Sequence, residues 1–321
     1  MIFAFTPRLA QSLFVVFGVS VLAFLLTDLA PGEYFEEMKL NPQISPKTVA
    51  ALRAEHGLDS PVASRYALWL RSVARGEFGY SFAYNCPVWP LLRTRACNTL
   101  VLTITALFFS WIIAIPTGIL AAVGVGRWLD QFSAVCTSFL LSTPDVLIGL
   151  VLLAFALHTR WFPTGGMRDA GHVETSLFAA GRDFARHLIL PVMALTAGTI
   201  PLLFRHVRSA TLDVLDSPFI VAARGHGISR TRILFRHVLP VAANPLISLF
   251  GVSMGTLLGG SLLIEVIMSW PGLGPLLLHA VLERDVHVVI AATVFSTLFL
   301  TIGNLLADVL LYMADPRIRE D

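Results

Sequence analysis

The chain has 321 residues, 55% of them hydrophobic and only 14% charged, with a formal net charge of +2 and a mean hydropathy of +0.74. A soluble domain carries roughly 25% charged residues, so this composition excludes a globule wetted on all sides. The small net charge gives no ground for a nucleic-acid partner, and Cys86, Cys97 and Cys136 show neither paired spacing nor a metal pattern.

In chain order, the first element is an apolar stretch at 9–27. It is one of five segments without Asp, Glu, Lys or Arg, the others being 96–126, 187–204, 237–264 and 286–307. Each is close to or above the ~20 residues that carry a helix across ~30 Å of hydrocarbon. A sixth stretch, 131–159, is as apolar but holds Asp145. The expected fold class is therefore all-α, a polytopic membrane protein with six transmembrane helices in a lipid bilayer. Residues 1–30 read as an uncleaved first span and not a secretory signal. The apolar run exceeds a signal core, and no small-x-small cleavage site follows closely.

Between spans one and two, residues 31–95 contain Pro31-Gly32, Pro42, Pro46, Gly57, Pro61 and Gly76 with several aromatic residues. Turn formers cut this segment into short elements, and 47–56 and 62–75 have helical apolar spacing. A small ordered external subdomain is expected there. The segment 159–186, glycine-rich at Thr164-Gly165-Gly166-Met167, reads as a loop with one short helix. A five-helix core follows at 96–315, interrupted by a polar insert at 209–240, and 316–321 form a short tail.

Orientation follows from Lys and Arg in short loops. Arg127, the tail residues Arg317 and Arg319, and the arginine-rich stretch Arg205–Pro240 share one side when both termini are cytoplasmic. The four arginines of 159–186 argue mildly the other way. The expected location is the bacterial inner membrane, with the 31–95 segment outside.

Charge inside a membrane helix is costly and faces a pathway or a partner. Asp28 and Asp308 lie near span ends and read as hydrated interfacial acids. Asp145 follows Ser142-Thr143-Pro144, so its helix is locally broken. Glu265 ends the apolar run of span five, ahead of Trp270-Pro271-Gly272-Leu273-Gly274, whose Pro and Gly break the helix. Asp145, Glu265 and Trp270 are the pathway or gate candidates, with a structural hydrogen bond as the alternative for each acid. Glu265 and Trp270 are expected to help seal the external mouth.

The insert at 217–245 reads as a helix, a break and a second helix. Pro218 suits a first helical turn, Gly227 can take the left-handed conformation that stops it, and Ser229 can cap the next helix, which runs to about Val238 before Pro240. Ile228, Leu234, Phe235 and Val238 lie among Arg230, Arg232 and Arg236, an amphipathic pattern. From periodicity alone, this element lies on lipid, merely connects two spans, or docks into a partner's groove.

Its spacing resembles a known signature. Val221-Ala222-Ala223, three residues to Gly227, then nine to His237-x-Leu239-Pro240 is similar to the coupling loop of ABC importer permeases. That loop has Glu where Val221 stands and Ile where His237 stands. Pro7-Arg8-Leu9, His56-Gly57-Leu58-Asp59, Gly76-Glu77-Phe78-Gly79, Asn98-Thr99-Leu100, Ser142-Thr143-Pro144, Trp270-Pro271-Gly272-Leu273-Gly274 and Asp315-Pro316-Arg317 extend the resemblance over nearly the whole length. They point to the oligopeptide/dipeptide/nickel branch.

The resemblance implies a pore shared with a second homologous permease subunit, two ATP-binding subunits and an extracytoplasmic solute-binding protein. It implies that Val221, Ala222, Ala223, Arg224, Gly227, Ser229, Arg232, His237, Leu239 and Pro240 couple to the ATPase. Peptides are the expected cargo; nickel complexes, glutathione and oligosaccharides are carried by similar permeases. This chain has no Gly-Lys-Ser/Thr phosphate loop, so no catalytic residue or cofactor is expected in it, and ATP and Mg belong to the partners. Its nine histidines show no His-x-x-x-His or His-Glu-x-x-His spacing, so no metal site is expected, and His226 and His237 read as interface residues. The rivals are a stand-alone secondary transporter, which would need paired repeats and interrupted helices around a midplane site, and an intramembrane enzyme.

Overall fold

The computed structural model describes residues 2–29, 45, 47, 60–169 and 176–314. The expectations for 31–44 and 48–59, and for the tail beyond 314, lie outside these residues. In the first helix, α1 (Ile2–Leu29), two hydroxyls bond the helix's own carbonyls, as suits a helix in hydrocarbon: Ser20 Oγ donates to the Phe17 carbonyl at 2.7 Å and Thr27 Oγ1 to Ala23 at 2.8 Å. The amphipathic α2 (Val62–Val73) lays Tyr66 and Trp69 against Phe24 of α1. Arg65 pairs with Asp28 at 2.7 Å, so Asp28 is an ion-pair partner and not merely a hydrated acid. A short hairpin follows, β1 (Tyr80–Ser81) against β2 (Cys86–Pro87), with Ser81 opposite Cys86.

Next come α3 (Val88–Val123), α4 (Trp128–Ser142) and α5 (Asp145–Thr159). The axes of α4 and α5 differ by 98°. Pro144 lacks an N–H and forces Thr143 into extended backbone at φ −97°, ψ 121°. Ser142 Oγ and Thr143 Oγ1 donate to the carbonyls of Ser138 and Phe139, both at 2.9 Å, which satisfies acceptors near the break.

The 39-residue α6 (Leu177–Leu215) begins at Ser176, whose hydroxyl accepts from the Ala179 N–H at 3.2 Å. Residues 177–186, expected within a loop that holds one short helix, are the opening turns of this long one, capped by Ser176. The chain continues through α7 (Pro218–Gly225), α8 (Arg230–Ile267), α9 (Leu273–Leu282) and α10 (Val286–Ala314). Among the described residues, five helices are long and apolar enough to cross a membrane, and the bent α4–α5 pair makes six.

Two compact units are present, one of Leu100–Trp270 and Leu300–Asp321, the other of Ile2–Thr99 and Pro271–Phe299. The first is centred on Leu102, Ala106, Leu190, Leu195, Leu257, Ile264 and Trp270, all buried. In the second, fully buried Asp285 accepts from Ser81 Oγ at 2.6 Å and from the Ala83 N–H at 3.2 Å. It thereby ties the hairpin to the start of α10.

Candidate functional site

The 217–240 segment is built by local backbone chemistry. Pro218 occupies the first turn of α7, where its missing N–H costs nothing. The helix closes in a Schellman motif: the Gly227 N–H donates to Arg224 at 3.0 Å and the Ile228 N–H to Ala223 at 3.3 Å. Gly227 sits at φ +73°, a region that costs a residue with a Cβ. Ser229 stands at the N-cap of α8 in extended conformation, but its hydroxyl makes no capping bond.

Pro240 does not end this second helix. An α-helical turn at Arg230–Ile233 passes into a π-helical turn at Leu234–Val238 and then into α-helix from Leu239 to Ile267. In an α-helix the Pro240 ring would press on the carbonyl four residues back. The wider π turn sits where that carbonyl lies and lets the helix run on. The part of the segment from Arg230 onward and the fifth span are consequently one continuous helix.

Burial divides the segment into two faces. Ile220, Ile233 and Val238 are buried, with Val214, Leu215, Ala223, Ile228 and Leu234 packed on them. Outward-facing are Val221, Ala222, Arg224, Gly227, Ser229, Arg232 and Pro240, while His237 and Leu239 are half-buried. Ala223 therefore faces the segment's own small core, and Ala222 is the small residue presented outward. Phe219 and Phe235, 48% and 66% exposed, stand among the arginines. Neither stands out from the sequence as a site residue, because their facing depends on the turn between α7 and α8. Arg208 braces the base of the segment by donating to Asp130 of α4 from Nε and Nη2, at 2.7 and 2.9 Å.

Asp145 is elsewhere. It opens α5, where a carboxylate complements the helix dipole, and it is exposed. Its carboxylate lies so close to Gly198 of α6 that a Cβ there would collide with it, and Gly260 of α8 is adjacent. Glu265 near the end of α8 and Trp270 just beyond it are both fully buried. The helix breaks at Ser269, φ +50°, two residues ahead of Pro271, with the Trp270 N–H donating to the Glu265 carbonyl at 2.8 Å. The 160–169 connection closes over this turn: the Gly166 N–H donates to Met268 at 3.2 Å, and Phe184 packs on Trp270 with ring centroids 5.9 Å apart. Pro240 and Glu265 are 25 residues apart on α8, about 38 Å at 1.5 Å per residue. The two sets thus occupy opposite ends of one span.

Residues 114–320 match the family model described as binding-protein-dependent transport system inner membrane component. The chain is 35% identical over 314 residues to the oligopeptide transport system permease protein AppB of Bacillus subtilis (strain 168), covering 97% of each. It is 32% identical over 313 residues to the glutathione transport system permease protein GsiC of Escherichia coli (strain K12), again with 97% of each covered. An inward-facing structure of the MetNI methionine ABC transporter shares the fold, with a TM-score of 0.57, 20% identity, and coverage of 70% of this chain and 96% of that one. The chain is a multi-pass membrane protein belonging to the family of binding-protein-dependent transport system inner membrane components.

Proposed function

We propose that this chain is one of two homologous permease subunits that line the translocation path of an ATP-driven peptide importer. The observation that carries the reading is the 217–240 segment. Exposed Phe219 and Val221 on α7 and Phe235 on α8 are set among Arg224, Arg230, Arg232 and Arg236, and α8 runs on from there as one helix to Ile267. Apolar knobs ringed by cations suit a protein groove with an acidic rim. Two ATP-binding subunits supply that groove, together with ATP and Mg. Their closure biases the permease only through contacts that differ between two states, and this segment makes them.

The positive-inside bias puts the segment and both termini in the cytoplasm. Asp145 then lies along the path, and Glu265 with Trp270 at its external mouth. A polar groove of about 490 Å³ lined by Tyr84, Arg95, His279 and Glu283 is the docking surface for a solute-binding protein. Relatives named for oligopeptides and for glutathione, itself a tripeptide, support peptide as the cargo.

The test is reconstitution of the chain with its partner subunits and binding protein in proteoliposomes. Accumulation of a labelled di- or tripeptide should require internal or external ATP on the motor side and no ion gradient. Uptake driven by an ion gradient without ATP would establish the secondary-transporter reading instead. Selective accumulation of a nickel complex or an oligosaccharide, with no peptide, would overturn the cargo assignment alone.

A further inference from the structure

We propose that Asp169, Asp183 and His187 form a binding site for a divalent transition-metal cation at the end of α6 remote from the 217–240 segment. One ligand atom from each lies within 4.8 Å of the others. Asp183 and His187 are four residues apart on α6 and share a face. Asp169 comes from the 160–169 connection. From His187 to Leu215 is 28 residues, about 42 Å of helix, so the cluster and the coupling segment sit at opposite ends of the span.

The imidazole is the informative group. Its side chain is 2% exposed. Nδ1 lies 2.9 Å from the backbone carbonyl of Asp183. A carbonyl only accepts, so in the neutral ring Nδ1 carries the proton and Nε2 keeps its lone pair. That lone pair faces Asp169 Oδ1 at 3.8 Å. A divalent cation placed between these two acceptors would satisfy both. The gap is too long for a hydrogen bond. It is close to the roughly 3.4 Å between two donors held by one tetrahedral ion at about 2.1 Å.

The surroundings match such a site. A metal-bound histidine ordinarily donates its second ring N–H to a carbonyl or carboxylate, which orients the ring; here the Asp183 carbonyl does so. Asp183 also holds the connection in place, its Oδ2 accepting the Asp169 N–H at 3.1 Å. Asp169 is 66% exposed, which leaves an entry path and a coordination position for water. One imidazole with two carboxylates favours Zn²⁺ and similar ions over Ca²⁺ or Mg²⁺, whose shells are built of oxygen. The connection that carries Asp169 also holds the turn after α8 through Gly166 and Met268. A bound cation would therefore pin that turn to α6.

The test is a calorimetric titration of the purified, chelator-treated full-length chain with Zn²⁺, repeated with Co²⁺ while visible absorption is recorded. One Zn²⁺ per chain is expected, with the intense Co²⁺ bands of a tetrahedral site. Asp169→Asn and His187→Gln should each weaken binding at least ten-fold. Asp169 is an exposed connection residue, so Asp169→Asn keeps the fold and isolates the ligand effect. Stoichiometric binding that is unchanged in Asp169→Asn would overturn the site. So would the absence of stoichiometric binding in the wild type.

Discussion

Arg208 and Asp130 form a two-pronged pair in which the carboxylate is nearly buried, and Asp130 Oδ2 also accepts the Gly126 N–H at 3.0 Å. Removing one partner of such a pair strands the other charge at a cost of about 3–5 kcal/mol. Arg208→Met should therefore lower the melting temperature of the detergent-solubilised protein sharply. The double variant Asp130→Asn with Arg208→Met should recover much of that loss, which a thermal-shift double-mutant cycle reads directly. Glu265 raises a different question, because the gate assignment gives it a function as well as a fold role. Truncating a large, fully buried side chain to Ala leaves a cavity that costs about 2–5 kcal/mol. Glu265→Ala should loosen the closed mouth, raising ATPase activity without binding protein while substrate-dependent uptake falls. If both stay unchanged at equal expression, Glu265 is an anchor only. At this scale the sequence marked the acids but not their surroundings. Asp285, buried under the hairpin, went unnoticed because its partners Ser81 and Ala83 lie about two hundred residues away in the chain.

Elements whose rules are local were legible in advance. Pro218 starts α7 and Gly227 ends it for reasons contained in the residues themselves. The break at Thr143-Pro144 is of the same kind. Pro240 defeats the local rule, since a π turn at 234–238 absorbs what a proline forbids in an α-helix. No residue spacing signals such a turn, because it depends on the packing of Ile233 and Val238 into the segment's own core. The consequence is that Phe235 and span five belong to one helix. Gly227→Val places a β-branched residue at φ +73°, a strain of about 1–2 kcal/mol, and should re-aim α7 against α8. The assembled variant should hydrolyse ATP while uptake falls at least ten-fold. Normal coupling in this variant would remove the break from the mechanism.

For the whole molecule, hydropathy foretold the crossings well, because burial in lipid imposes composition on every residue of a span. It did not foretell the 98° bend within the third or the depth to which α6 extends. Both depend on single capping and breaking residues. Residues 60–87 were legible as turns, aromatics and the helical spacing at 62–75, where the helix Val62–Val73 stands. Their anchoring through Tyr66, Trp69 and the hairpin arises from long-range contacts. The central claim is that the 217–240 segment docks on an ATP-hydrolysing subunit. A photoactivatable benzophenone side chain in place of Phe235 tests it most directly, with one in place of Tyr80, 40% exposed, as the control. Irradiation of intact membranes should join the Phe235 probe to an ATP-binding subunit and leave the Tyr80 probe free of it. Capture of that subunit by the Tyr80 probe, or its absence from every product of the Phe235 probe in membranes where the transporter is assembled and active, would contradict the claim.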